Sequence, residues 1–188
     1  DLLIPRGSNE FVAYIMQNTK IPVLGHADGI CHVYVDSSAD LKKAVDIVLD
    51  SKLQYVVACN AAETLLLHKN IAEEFLTMLI AANTDPELSL LGDDASVQYG
   101  GGAASEAGAE DYGREFSEKT LAIKVVDSLA EAIDHINAFG SHHTDSIVTE
   151  DKEAAEHFFA LVDSASVYRN CSTRFADGFR YGFGAEVG

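Results

Sequence analysis

The fold of this 188-residue chain is decided by the stretches ICHVYV (30–35), ADLKKAVDIVLD (39–50) and TLLLH (64–68). The first and last runs are short and apolar, which is typical of strands buried inside a sheet. In the middle run, apolar residues recur at every third or fourth position, which predicts a helix that packs one face on that sheet. Strand, helix and strand in this order predict a parallel βαβ unit.

The same alternation continues on both sides of this unit. Strand patterns occur at 2–4, 21–24, 121–126, 146–149 and 165–168, and helix patterns at 10–17, 71–81, 128–139 and 151–161. We therefore expect one α/β domain with three layers, αβα, and a largely parallel sheet. Residues 83–118 show no period and contain Gly100-Gly101-Gly102 in a low-complexity order, so we expect a flexible Gly-rich surface excursion there.

Composition excludes several classes of protein. Hydrophobic residues make up 47% of the chain and charged residues 23%, which suits a globular domain with a sizeable core. A net charge of -17 repels nucleic acid and anionic membranes, so neither is an expected partner. No run approaches the roughly 20 apolar residues of a membrane span. The three cysteines have no CxxC spacing, which predicts reduced thiols, no metal site and a cytoplasmic location.

Cys59 is the candidate nucleophile that the residues themselves indicate. An apolar approach, Tyr55 to Ala58, changes there to small and polar residues just before a strand. Backbone N–H groups at such a turn can lower the pKa of a thiol and can bind an oxyanion. The alternative is a buried structural thiol, which is the more frequent role of a reduced cysteine.

Arginine is concentrated near the end of the chain, against the overall acidic charge. Arg169, Arg174 and Arg180 lie in the last twenty residues, and guanidinium groups suit carboxylates and phosphates through paired hydrogen bonds. This distribution favours a small anionic substrate, while the alternative is that each arginine pairs with a nearby acidic side chain.

Seven stretches combine into a single resemblance. They are IPRGS (4–8), PVLGHADGICH (22–32), ACNA (58–61), ETLL (63–66), HTD (143–145), STRF (172–175) and GAEVG (184–188). Together they resemble γ-glutamyl phosphate reductases and the same domain of bifunctional pyrroline-5-carboxylate synthases, and more distantly the catalytic domain of aldehyde dehydrogenases. The resemblance implies an aldehyde-dehydrogenase-like catalytic domain over residues 23–188, preceded over residues 1–22 by a remnant of the dinucleotide-binding domain.

The resemblance also implies a reaction, the reduction of L-glutamyl 5-phosphate by NADPH to glutamate 5-semialdehyde and phosphate in proline biosynthesis. Cys59 matches the family nucleophile, and backbone N–H groups at Cys59 and Asn60 would hold the oxyanion of a thioester pathway. Relatives that hydrolyse their thioester carry a water-activating Glu where this chain has Val23. The absence of that base suits an enzyme that reduces its thioester instead.

Further site residues follow from the resemblance alone. Those assigned to the cofactor are Gly7, Ser8 and Glu115. Those assigned to the carboxylate or phosphate of the substrate are His143, Ser172, Thr173 and Arg174.

The chain has no initiator Met and no polar tail, so we expect a piece of a longer protein that has no reductase turnover by itself. The full-length protein is expected to form a homo-oligomer, with glutamate 5-kinase, separate or fused, supplying its substrate. Two alternatives stay open. The chain could belong to another acyl-reducing or aldehyde-oxidising member of the superfamily, or it could be a catalytically silent oligomerisation domain.

Overall fold

The computed structural model describes residues 1–25 and 28–184. Residues 26–27, in the stretch 22–32 that carries part of the resemblance, and residues 185–188, in the stretch 184–188, lie outside the described residues. The strands are β1 (Cys31–Val35), β2 (Ala62–His68), β3 (Ser89–Gly92), β4 (Ala104–Glu106), β5 (Thr120–Val126), β6 (Thr144–Val148) and β7 (Ser166–Arg169). The helices are α1 (Asn9–Asn18), α2 (Leu41–Leu53), α3 (Ala72–Ala82), α4 (Asp94–Tyr99), α5 (Leu129–Phe139) and α6 (Lys152–Leu161), with short 3-10 helices at Ala109–Gly113 and Thr173–Phe175.

The strands form one seven-stranded sheet in the order β4-β3-β5-β2-β1-β6-β7, and each neighbouring pair is parallel. The central strands β1 and β2 are buried on both faces, which explains why most of their residues are apolar. Val33 and Leu65 pack with α2 and α3 on one face, while Tyr34 and Leu66 pack with α5 and α6 on the other. The predicted three-layer α/β fold is therefore confirmed.

Polar side chains start the helices where the sequence predicts. Asp40 accepts a hydrogen bond from the backbone N–H of Lys43 at 3.1 Å, and Ser128 accepts one from Glu131 at 3.2 Å. The Glu131 carboxylate reaches the N–H of Asp127 at 2.7 Å, one residue before the cap. The strand patterns at 2–4 and 21–24 form only a single parallel bridge, Leu3 with Val23, on either side of α1.

The expectation of an irregular excursion over residues 83–118 is wrong. This region supplies β3, α4 and β4, which extend one edge of the sheet through the pairing of β3 with β5. The strands have only four and three residues, too few to show a period. The glycines belong to a tight turn after α4, where Gly101 and Gly102 have φ of 57° and 93°, a region that favours glycine.

None of the helices in the described part of the chain is long and apolar enough to cross a membrane.

Candidate active site

Cys59 lies in a tight turn just before β2. The N–H of Ala61 donates to the carbonyl of Ala58 at 2.8 Å, so Cys59 and Asn60 are the two central residues of a β-turn. The hydrogen bond of such a turn uses neither of the two central N–H groups. The thiol of Cys59 is half-buried and is not part of a disulfide. The turn therefore places the half-buried Cys59 and Asn60 together at the amino-terminal end of β2.

The loop before β1 supports this turn from one side. A Cβ atom on Gly29 would lie 2.3 Å from the carbonyl oxygen of Cys59, so only glycine fits there without a shift. The thiol of Cys31 donates to the same carbonyl oxygen at 3.3 Å. Burial and the nearby charge of Asp145 raise the pKa of Cys31 well above its ordinary value. Cys31 is therefore a supporting residue and a poor nucleophile.

The segment after β7 forms a second side of the site. It runs back across the sheet face, as the hydroxyl of Ser146 in β6 binds the carbonyl of Cys171 at 2.7 Å. At the end of this return, the amide Nδ2 of Asn60 donates to the carbonyl of Ala176 at 2.6 Å. Asn60, next to Cys59, therefore contacts a residue more than a hundred positions later in the chain. Arg174 belongs to the same segment as this residue.

Arg174 and Thr173 carry polar groups that their surroundings leave unpaired. Arg174 is only 9% exposed, and its guanidinium carbon lies 5.9 Å from the centre of the Tyr55 ring. Within residues 1–25 and 28–184, its Nε and the hydroxyl of the buried Thr173 have no hydrogen-bond partner. Such donors are costly to bury unless a ligand satisfies them. The hydroxyl of Ser172 instead accepts from the N–H of Arg174 at 3.2 Å and bonds Ser51 at 3.1 Å.

Glu115 and His143 precede β5 and β6, as Cys59 precedes β2. The strands are parallel, so these residues lie at the same, amino-terminal edge of the sheet. Both side chains are half-buried, and Nδ1 of His143 lies 2.8 Å from the hydroxyl of Thr144. Open α/β sheets usually bind ligands at the opposite, carboxyl-terminal edge.

Gly7 and Ser8 lie just before α1, and the contacts that the structure describes for them are with residues of this helix, Phe11 among them. The hydroxyl of Ser8 caps α1 by accepting from the N–H of Phe11 at 3.3 Å. Their role toward a cofactor stays a prediction. Over residues 1–25 and 28–184, no group of three or more His, Cys, Asp or Glu side chains could hold a metal ion.

Sequence reasoning missed a buried ion pair beside the site. Nζ of Lys52, in the last turn of α2, lies 2.5 Å from Oε2 of Glu63. The signal was present in the sequence, because Glu63 is an acidic residue at the start of an otherwise apolar strand. Its partner could not be inferred, since the pairing depends on how α2 packs on β2.

The sheet, its flanking helices and the cysteine turn together define an aldehyde-dehydrogenase-like α/β domain. An acetylating aldehyde dehydrogenase from Geobacillus thermoglucosidasius shares this fold with a TM-score of 0.72 at 18% identity, over 96% of this chain and 48% of that one.

The more specific resemblance to γ-glutamyl phosphate reductases is also confirmed. The γ-glutamyl phosphate reductase of Synechococcus sp. strain WH7803 is 61% identical over all 188 residues, which span 43% of that protein. The crystal structure of the γ-glutamyl phosphate reductase from Thermotoga maritima matches with a TM-score of 0.95 and 40% identity, over 100% of this chain and 45% of that one. The chain thus spans less than half the length of these relatives. No model of a protein family matches it.

Proposed function

We propose that this chain is the catalytic part of an NADPH-dependent reductase that converts L-glutamyl 5-phosphate to L-glutamate 5-semialdehyde and phosphate in proline biosynthesis. The observation that carries the proposal is the tight turn of Cys59 and Asn60, which the Asn60 side chain joins to the segment that contains the buried Arg174. The similarity to γ-glutamyl phosphate reductases over the whole chain supports this substrate.

The first half of the reaction needs only the turn and its neighbours. The Cys59 thiolate attacks the acyl carbon of the substrate, and the N–H groups of Cys59 and Asn60 stabilise the negative charge on its oxygen. The bond from this carbon to the phosphate oxygen then breaks, phosphate leaves, and Cys59 carries a thioester. Arg174, together with Ser172, Thr173 and His143, binds the anionic groups of the substrate and orients the acyl carbon.

The second half needs a hydride at the thioester carbon, which NADPH would supply when bound. Glu115 binds the nicotinamide ribose, a role that fits its half-exposed carboxylate at the same sheet edge as Cys59. Gly7 and Ser8 would form the edge of the cofactor domain that faces the nicotinamide. The same backbone donors hold the oxygen again, and the aldehyde is released when the carbon–sulfur bond breaks. Val23 cannot activate water, so the thioester is spared from hydrolysis.

The first test is the pH dependence of iodoacetamide alkylation, with each cysteine followed by peptide mass spectrometry. We expect Cys59 to react fastest, with an apparent pKa below the roughly 8.5 of an ordinary thiol. In the full-length protein, Cys59→Ser should abolish NADPH oxidation by L-glutamyl 5-phosphate, while Cys171→Ser should retain it. An active Cys59→Ser protein would overturn the role of Cys59 as nucleophile. An ordinary thiol at position 59 in a full-length protein without turnover would favour a silent interaction domain.

The setting of the enzyme is part of the same proposal. The full-length protein acts in the cytoplasm as a homo-oligomer on the product of glutamate 5-kinase, and residues 1–22 belong to the dinucleotide-binding domain. The 188-residue chain alone therefore has no turnover, because nothing positions the cofactor against Cys59. Preference for aspartyl or acetylglutamyl phosphate would instead indicate a different member of the superfamily.

A further inference from the structure

The ion pair between Lys52 and Glu63 is almost completely removed from water, since both side chains are 1% exposed. Desolvating two charges costs about as much as their attraction returns, so a buried pair contributes little net stability. The pair is therefore better explained by the neighbouring segments that it contacts.

Glu63 fastens the segment that follows Glu115. Its second oxygen, Oε1, accepts a hydrogen bond from the N–H of Ser117 at 3.4 Å, and the backbone of Phe116 also lowers the pKa of this carboxylate. The ammonium group of Lys52 lies 5.9 Å from the centre of the Phe116 ring. Glu63 itself lies four residues after Cys59. A single carboxylate thus joins the strand after the nucleophile turn to the segment that carries Glu115.

The residue before Lys52 makes a matching connection to the other side of the site. The hydroxyl of Ser51 accepts from the N–H of Thr173 at 3.2 Å and bonds the hydroxyl of Ser172 at 3.1 Å. The last turn of α2 therefore supports the Arg174 segment through Ser51 and the Glu115 segment through Lys52.

We propose that Lys52 and Glu63 are positioning residues that fix Glu115 relative to Cys59, so that the nicotinamide ribose binds in register with the thioester. This inference rests on the proposed function for the role of Glu115. Hydrogen bonds to an ionised carboxylate are about twice as strong as neutral ones, and the charge of Lys52 favours the ionised form of Glu63. Burial raises the pKa of Glu63 to about 7, although the charge of Lys52 and its hydrogen bond lower it. Without the lysine, the carboxyl group would be neutral and would hold the two amides weakly.

The test uses the full-length protein with Glu63→Gln, Lys52→Met and the double variant, which leaves no buried charge. We expect faster hydrogen–deuterium exchange at residues 116–117 without cofactor in all three. The dissociation constant and KM for NADPH should rise about tenfold, because the loosened Glu115 segment would have to be ordered when the cofactor binds. The KM for L-glutamyl 5-phosphate and the alkylation rate of Cys59 should stay close to those of the unmodified protein.

Ser51→Ala is the matched control, because it removes a contact from the same helix turn on the other side. It should raise the KM for L-glutamyl 5-phosphate and leave NADPH affinity unchanged. The inference is wrong if the folded variants of the ion pair, including the double variant, keep both the exchange rate and the NADPH affinity of the unmodified protein. This result would leave the proposed reductase function intact. If the unmodified protein neither binds NADPH nor turns over, the proposed function fails. The exchange rates would then still decide whether the pair holds the segment.

Discussion

Gly29 and Cys59 lie in the loops that precede β1 and β2, and their backbones are in direct contact. A Cβ atom at position 29 would lie 2.3 Å from the carbonyl oxygen of Cys59 and 2.6 Å from its Cα. The opposing atoms are backbone and cannot rotate away, so the position of the nucleophile turn depends on the absence of a side chain at residue 29.

Gly29→Ala should therefore displace the Cys59 turn. We expect a loss of about 1–3 kcal/mol in the free energy of unfolding, as for other overpacked sites, and a several-fold change in the iodoacetamide reactivity of Cys59. Urea unfolding and alkylation kinetics measure the two effects. Gly113→Ala is the control, because its nearest neighbour, Cδ1 of Phe139, would be 3.6 Å from the new Cβ. Equal behaviour of the two variants would mean that the contact does not set the turn.

Arg174 should make Cys59 react preferentially with anionic reagents. We expect Arg174→Gln to lower the ratio of the iodoacetate rate to the iodoacetamide rate at Cys59 by about 3- to 10-fold, because a focused positive charge raises the local concentration of anions. Both rates are measured by peptide mass spectrometry.

The control for this prediction is Arg180→Gln. The guanidinium of Arg180 donates to Gln54 at 2.6 Å and lies close enough to Cys171 to affect its pKa, so its loss should change Cys171 rather than Cys59. A ratio at Cys59 that does not respond to Arg174→Gln would remove Arg174 from the substrate site.

The central part of the fold could be predicted from sequence because local patterns determine it. The strands β1 and β2 are short, mostly apolar runs, and α2 shows a clear helical period behind Asp40. The strands β3 and β4 on one side of the sheet could not be predicted. Runs of four and three residues become strands only when β3 pairs with β5 and β4 pairs with β3.

The candidate site was predictable for residues with distinctive chemistry and not for those defined by contact. Cys59 stands out in sequence because the apolar run before it ends in a polar turn. The contact between Asn60 and Ala176 joins residues 116 positions apart, and the Lys52–Glu63 pair joins a helix end to a strand start. Such pairings depend on tertiary packing, which no local pattern encodes.

Cys31 should resist alkylation in the folded protein at any pH that the fold tolerates. The thiol is completely buried, and burial with the charge of Asp145 raises its pKa well above the ordinary value. We expect Cys31 to be labelled only at urea concentrations that unfold the protein, whereas the half-exposed Cys171 is labelled before unfolding. Labelling of Cys31 at low urea would instead show that the amino-terminal edge of the sheet opens locally.

His135 should make the protein less stable in acid. Its ring stacks on Phe139 with centroids 4.6 Å apart and meets the Tyr112 ring edge-on at 5.5 Å. Burial, with smaller contributions from His32 and Lys124, lowers the pKa of His135 from 6.5 to about 3. Between these two values the unfolded chain binds a proton that the folded chain does not bind. The free energy of unfolding therefore falls as pH falls through this range.

Replacement of His135 by Phe keeps the ring and removes this proton. Between pH 8 and pH 5, His135→Phe should lose about 2 kcal/mol less of its free energy of unfolding than the unmodified protein. This difference follows from about 1.36 kcal/mol for each pH unit below the unfolded pKa. Urea unfolding at both pH values measures it, with His157→Asn as a control at an exposed position of α6. If His135→Phe loses as much stability between pH 8 and pH 5 as the unmodified protein does, the ring of His135 is protonated in the folded state and its pKa is not depressed.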